Sequence, residues 1–315
     1  MDAPTITRFA PSPTGRMHAG NIFASLVAWL AAKSREGKVI LRIEDLDRDR
    51  SKEEFIRQIP EDYERLGLVW DEGPYFQHDR DEVYARYYGL LEAQGLIYPC
   101  FCSRADLLSG SAPHRGEKTV YSGNCRTLTE IERQKARESR VPAFRVMVPE
   151  ETYALDDRIY GHYAQDLQTE CGDFIVRRSD GAFAYQLAVV VDDGLQGVSL
   201  VARGVDLLCS SPQQLFLQDA FGFAHPQYLH VPLLVARSGV RLSKRNRDAS
   251  LDEMLQVLGS PEAVIGYIAH VTGILDAFEP ATPEELLSVY DEDALRQKWQ
   301  GKIELQWVAP EARLS

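Results

Sequence analysis

The segment RFAPSPTGRMHAGN, from Arg8 to Asn21, constrains the fold more than any other part of the chain. A short extended run stops at a turn rich in proline and glycine, and a helix starts directly behind it. Residues 5–9 alternate as a strand does, and Asn21 opens a run in which Ile22, Leu26 and Leu30 recur every four residues. Phe23, Val27 and Ala31 repeat that spacing beside them, which makes one helix face apolar. Gly37 is expected to end the helix, and residues 39–45 (VILRIED) to follow as a parallel strand. Such a β-loop-α-β unit presents unpaired N–H groups and the positive end of a helix dipole at its loop, a setting that favours phosphate. Gly20 keeps side-chain bulk away, and His18 stands where a ring N–H reaches a phosphoryl oxygen. On spacing alone, an ordinary glycine-containing turn fits equally.

A second segment points the same way. Residues 228–235 (YLHVPLLV) read as another strand, and the loop behind it places Arg241, Lys244, Arg245 and Arg247 within seven residues that hold no acid. Such a loop can bring a cation onto a triphosphate, and on charge alone it is also a solvated hairpin.

Cys100 and Cys102 form a C-x-C, with Tyr121 and Cys125 downstream in the spacing C-x-C-x18-Y-x3-C. In a chain without a secretory signal, closely spaced cysteines favour thiolate ligation of zinc over a disulfide. Spacing alone gives a three-cysteine site with His114 or water as the fourth ligand. Cys171 and Cys209 read as ordinary buried or half-buried thiols.

With 315 residues, 44% of them hydrophobic, the chain can bury a large core in two or three units. It holds no apolar run near eighteen residues and residues 1–13 lack an apolar signal core, so a cytoplasmic protein that does not enter a membrane is expected. The formal charge of −12 argues against a nucleic-acid partner only on average. Residues 276–293 hold seven acids and no base, whereas residues 241–247 hold four bases, so charge is segregated.

The two junctions together resemble those of class I aminoacyl-tRNA synthetases, with HAGN in place of the HIGH motif and RLSKR in place of KMSKS. RFAPSPTG, LRIEDLDRDRS, DGAFAYQLAVVVDD (180–193) and VARGVDLLCSSPQQ (201–214) extend the resemblance to the glutamyl branch. Only about seventy residues follow Lys244, too few for the anticodon-binding region of a discriminating glutamyl-tRNA synthetase. The family with this truncation is the glutamyl-queuosine tRNA(Asp) synthetases, which resemble the catalytic half of that enzyme. The resemblance implies an α/β fold: a Rossmann-like catalytic domain with a zinc-bearing insertion and a short C-terminal helical subdomain.

It also implies a ligase that activates L-glutamate with ATP and Mg²⁺ and passes it to the queuosine wobble base of tRNA(Asp). A truncated enzyme charging the 3′ end of tRNA(Glu), and a tRNA-binding paralogue without turnover, are the alternatives. By resemblance, glutamate is held by Arg8, Phe9, Ala10, Pro11, Ser12, Glu44, Tyr185 and Arg203, with Asp206 as a further candidate. ATP is held by His18, Gly20, Asn21 and Lys244, of which His18 and Lys244 stabilise phosphoryl charge. The resemblance favours Tyr121 as the fourth zinc ligand, with one zinc per chain. Glu44 has a blander reading as an ion-pair partner of Arg42 or Arg48, and Tyr185 as core. Arg241 stands where lysine is usual, and Asn21 where the second histidine is usual.

The implied organisation is a first half of the catalytic domain (1–97), the insertion (98–140), a strand-rich connection with the second half (141–235), and the basic loop with a helical, stem-contacting subdomain (236–315). Ser51 to Glu54 and Ser250 to Glu253 read as capping boxes, Asp180-Gly181 and Asp193-Gly194 as turns, and Pro261 as the first turn of a helix. A monomer is expected.

Overall fold

In the computed structural model, residues 4–103, 120–236 and 250–310 are described. A parallel sheet places β2 (Lys38–Ile43) between β1 (Ile6–Phe9) and β3 (Glu72–Phe76). A second sheet has the order β7 (Gly161–Asp166), β6 (Thr152–Asp157), β10 (Gln227–Val231) and β9 (Leu200–Gly204), all parallel except the β6–β7 hairpin. Ser199 joins the two sheets: its N–H donates to the Ile6 carbonyl at 2.9 Å, and its hydroxyl accepts from the Ile6 N–H at 2.9 Å. The open ends of β1 and β9 therefore lie together, the place where an α/β sheet holds its ligand.

Helix α1 (Ala19–Lys33) is buried along most of its circumference, from Ile22 through Leu26 to Leu30, in the main core with Val39, Leu41 and Trp299. Full burial of such a side chain contributes about 1.5–3 kcal/mol, so this helix is anchored far more firmly than its propensity would make it. It ends at Lys33, before Gly37. Gly37 instead allows a backbone crossing: a Cβ there would stand 2.1 Å from the Thr5 carbonyl oxygen.

A smaller antiparallel sheet orders β4 (Ile97–Cys100), β5 (Ala143–Val146) and β8 (Phe174–Arg177). Helices α2 (Glu53–Arg65), α3 (Asp81–Ala93) and α4 (Glu130–Ser139) precede β5 in the chain. Helices α5 (Tyr185–Leu195) and α6 (Ser211–Phe221) flank β9, and β11 (Leu233–Val235) follows β10. Helices α7 (Leu251–Leu258), α8 (Pro261–Thr272), α9 (Pro283–Leu286) and α10 (Glu292–Trp299) and strand β12 (Glu304–Gln306) complete the described chain. Among the described residues no helix is long and apolar enough to cross a membrane.

Several local expectations are corrected. Asp193-Gly194 is not a turn but the last part of α5, because Asp193 and the preceding Asp192 are buried against arginines from distant segments. Gly194 lets the Phe223 ring approach, since a Cβ would meet it at 2.5 Å. Ser51 caps nothing: the Lys52 N–H is drawn to the Pro13 carbonyl at 3.1 Å and the helix starts one residue later, without a side-chain cap. Residues 228–235 form two strands separated at Pro232, and β11 pairs with β12. Ser250 does cap α7, and Pro261 opens α8 behind the cap Ser260.

Candidate active site

The carboxyl ends of β1, β2 and β9 and the first turns of α1 and α5 enclose a cavity of about 490 Å³. Arg8, Phe9, Ala10, Pro11, Ser12, His18, Asn21, Glu44, Tyr185 and Arg203 all line it. Gly20 is not in its wall, and neither is Asp206, which is exposed in the turn after β9. Ser25 and Tyr63 complete the floor, hydrogen-bonded to each other at 2.8 Å, and no motif marked either. Lys244 and Arg241 lie outside the described residues, as does His114.

His18 occupies the N-cap of α1 in place of the usual Ser, Thr, Asp or Asn. Its Nδ1 accepts the Gly20 N–H at 3.1 Å, and Asn21 Oδ1 accepts the His18 N–H at 3.4 Å. Asn21 therefore closes a capping box, a role its short amide fits. A neutral ring that accepts at Nδ1 carries its proton on Nε2, so the cap fixes the tautomer that can donate to an anion.

Behind the cavity lies a charge network that local reading missed. Arg42 on β2 is wholly buried, with Nη1 donating to Asp193 Oδ1 at 2.7 Å and Nη2 to Glu44 Oε1 at 3.1 Å. Arg8 donates through Nε to the same Asp193 oxygen at 3.2 Å, and through Nη1 to the Ala202 carbonyl at 3.2 Å. Asp192 takes Arg80 Nε at 2.7 Å, Tyr84 at 2.8 Å and Gln77 at 2.8 Å. Burial raises the Asp193 pKa, but Arg8 and Arg42 outweigh it and hold the carboxyl below its ordinary value. At Glu44 the balance is reversed: burial dominates, and the pKa stays above the ordinary 4.5 despite Arg42 and Arg8. Glu44 is thus both an ion-pair partner of Arg42 and a wall of the cavity.

Arg203 faces Arg8 across the β1–β9 seam. Its Nη2 donates to Ser211 Oγ at 2.8 Å and to the Leu207 carbonyl at 3.3 Å, while the buried Nη1 has no hydrogen-bond partner among the described residues. A buried guanidinium nitrogen without an acceptor is costly unless a ligand supplies one. With Arg8 nearby and Glu44 opposite in sign, the cavity can pair carboxylate and ammonium groups of one small zwitterion.

The thiols of Cys100, Cys102 and Cys125 converge to within 4.8 Å of one another, close enough to share a metal ion. The Tyr121 hydroxyl lies 3.5 Å from Cys100 Sγ and 3.7 Å from Cys102 Sγ, and accepts the Cys125 N–H at 2.9 Å. Arg145 donates to Cys100 Sγ at 3.2 Å and stacks on the Tyr121 ring at 3.8 Å. Cys171 and Cys209 are half-buried elsewhere.

Residues 5–277 match the family model of class I tRNA synthetases (E and Q), catalytic domain. The chain belongs to the class I tRNA synthetases. It is 45% identical over 298 residues to the glutamyl-Q tRNA(Asp) synthetase of Symbiobacterium thermophilum, covering 90% of this chain and 91% of that one. It is 44% identical over 294 residues to the protein of the same name from Nitratidesulfovibrio vulgaris, covering 90% of each. Among solved structures, a glutamate tRNA ligase from Elizabethkingia meningosepticum in complex with its amino acid superposes with a TM-score of 0.80 at 26% identity. That match covers 98% of this chain and 68% of the ligase. The expected Rossmann-like class I synthetase fold is therefore the one observed.

Proposed function

We propose that the cavity binds L-glutamate and ATP, joins them as glutamyl-adenylate, and delivers the glutamyl group to the queuosine wobble base of tRNA(Asp). The observation that carries this reading is similarity: two relatives 45% and 44% identical to this chain, each over 90% of its length, are named glutamyl-Q tRNA(Asp) synthetase.

Activation requires a carboxylate oxygen of glutamate to attack the α-phosphorus of ATP in line, forming a P–O bond as pyrophosphate leaves. Positioning and charge stabilisation supply the rate, with no covalent enzyme intermediate. Arg8 and Arg203 hold glutamate carboxylates, and their place together in the cavity wall supports that role. Glu44 takes the ammonium, with Tyr185, Ser12 and the backbone of residues 9–11 shaping the site. His18 donates from Nε2 to a phosphoryl oxygen, Gly20 and Asn21 keep the helix start open to ATP, and Lys244 brings a cation from the basic loop. Mg²⁺ accompanies ATP. A queuosine hydroxyl then attacks the adenylate carbonyl, its proton is lost, and AMP leaves.

One zinc per chain is held by Cys100, Cys102, Tyr121 and Cys125. The three converging thiols, with a phenol oxygen against two of them, fit a tetrahedral structural site. Zinc bound there would cross-link the segments that carry these four residues, and the Arg145 guanidinium against Cys100 would offset thiolate charge. The enzyme is assigned to the cytoplasm, where its tRNA is.

The test is incubation with ATP, labelled glutamate and tRNA with or without queuosine, followed by nuclease mapping of the label. Label on the queuosine nucleotide is expected. Label on the 3′-terminal adenosine identifies a tRNA(Glu)-type charging enzyme instead, and absence of glutamyl-adenylate identifies a binding protein.

A further inference from the structure

Arg203 projects from the sheet with its guanidinium held by a side chain from the neighbouring strand. In the parallel register of β9 with β10, Arg203 stands opposite His230. Arg203 Nε donates to His230 Nε2 at 3.1 Å. On the far side of the ring, His230 Nδ1 meets Asp157 Oδ2 at 2.7 Å, and that oxygen also accepts the His230 N–H at 3.0 Å. Asp157 at the end of β6 is fixed through its other oxygen, which takes the N–H groups of Ile159 at 3.0 Å and Tyr160 at 2.9 Å. His230 and Asp157 are fully or almost fully buried, and neither lines the cavity.

We infer that His230 is a positioning residue, oriented by Asp157, whose neutral Nε2 lone pair sets the rotation of the Arg203 guanidinium and so the direction in which Arg203, in the cavity wall, meets the substrate carboxylate. The chain has one workable proton arrangement. Asp157 accepts only, so the ring proton sits on Nδ1, and Nε2 is left to accept from an arginine that can only donate. A proton on Nε2 would face the Arg203 Nε–H and break the chain. Burial, aided by Arg203 and opposed by Asp157, keeps the ring's pKa below the ordinary 6.5, consistent with that arrangement.

The inference rests on the reading of Arg203 as a glutamate ligand, and the experiment separates the two. In His230→Gln the amide oxygen can take the place of Nε2, whereas His230→Asn keeps a group near Asp157 but withdraws the acceptor from Arg203. Michaelis constants for glutamate and ATP are measured in adenylate formation, alongside melting temperatures. His230→Asn is expected to raise the glutamate KM at least about tenfold, the scale of one hydrogen bond to a charged group, with the ATP KM unchanged. His230→Gln is expected to stay within about threefold of the parent, because the acceptor is restored. An unchanged glutamate KM in His230→Asn, an equal rise for ATP, or a His230→Gln as impaired as His230→Asn would overturn the inference. If His230→Asn does not fold, Asp157→Asn carries the same expectation and the same refutation, because an amide N–H against Nδ1 drives the ring proton towards Nε2. Arg203→Lys is the control: a parental glutamate KM there refutes the assignment of Arg203 itself, and a raised one leaves the His230 comparison decisive.

Discussion

Asp193→Asn is the most direct probe of how the halves of the site are held together. The Asp193 Oδ1 atom accepts from Arg42 Nη1 at 2.7 Å and from Arg8 Nε at 3.2 Å, and all three side chains are buried. An asparagine keeps one oxygen in place and removes the charge. Each contact keeps its charged donor but loses the charged acceptor, falling from the upper to the lower end of the range of about 1.5–3 kcal/mol for a charge-assisted bond, a loss of about 1–1.5 kcal/mol each. Arg42 retains Glu44 at 3.1 Å and Asp192 at 3.7 Å, so the full cost of an orphaned buried charge is avoided. The expected destabilisation is therefore about 2–3 kcal/mol, read by thermal and urea unfolding at neutral pH. Because the folded-state pKa of Asp193 is depressed below 3.8, its contribution is complete above that value and is lost as pH falls through the depressed one. The gap between parent and variant should therefore close in strong acid. A variant within about 0.5 kcal/mol of the parent at neutral pH would refute the reasoning and make Asp193 a spectator.

Three further outcomes are expected. His18→Asn should leave the melting temperature near the parent's, since asparagine is a good N-cap, yet cut adenylate formation about 10²–10³-fold by removing the Nε2 donor; retained activity would sink the catalytic assignment. Cys100→Ser should lose the zinc, about one equivalent per chain by elemental analysis of the parent, and full occupancy in the variant would contradict the ligand set. Glu44 binds ammonium only as the anion and its pKa is raised above 4.5, so the glutamate KM should climb as pH falls while still above the ordinary carboxylate range. A KM flat down to 4.5 argues for a different ammonium partner.

What was legible locally and what was not divides along sequence distance. The β1-loop-α1-β2 unit could be read because its signals are short-range: Ile22, Leu26 and Leu30 lie on one face, and the turn residues stand beside the helix they precede. Most of the cavity wall is legible through the motifs, from Arg8 to Ser12 with His18, Asn21, Glu44, Tyr185 and Arg203, whereas Gly20 and Asp206 lie outside it and Ser25 and Tyr63 carry no signal. Asp193 departs from the turn its Asp-Gly pair predicts, because that is a turn signal only where the aspartate is solvated, and Asp192 beside it carries no signal of its own. Their arginine partners, Arg8, Arg42 and Arg80, are more than a hundred residues away. Asp157 and His230 carry no motif at all, since their meaning arises only when β6 and β10 pair. Ser51 has a capping signature, yet a carbonyl from residue 13 decides where that helix begins.

Asp193 also bears on when the site comes into being. Arg8 and Arg42 emerge early in synthesis, whereas their shared carboxylate follows 185 and 151 residues later, after the segment that carries Cys100, Cys102 and Cys125. Until then Arg8 lacks its carboxylate and Arg42 has only Glu44, charges that water solvates better than a half-built interior, which opposes premature closure of β1 on β2. The cavity is consequently a late product of folding, and a chain that binds substrate is one whose two halves have already met.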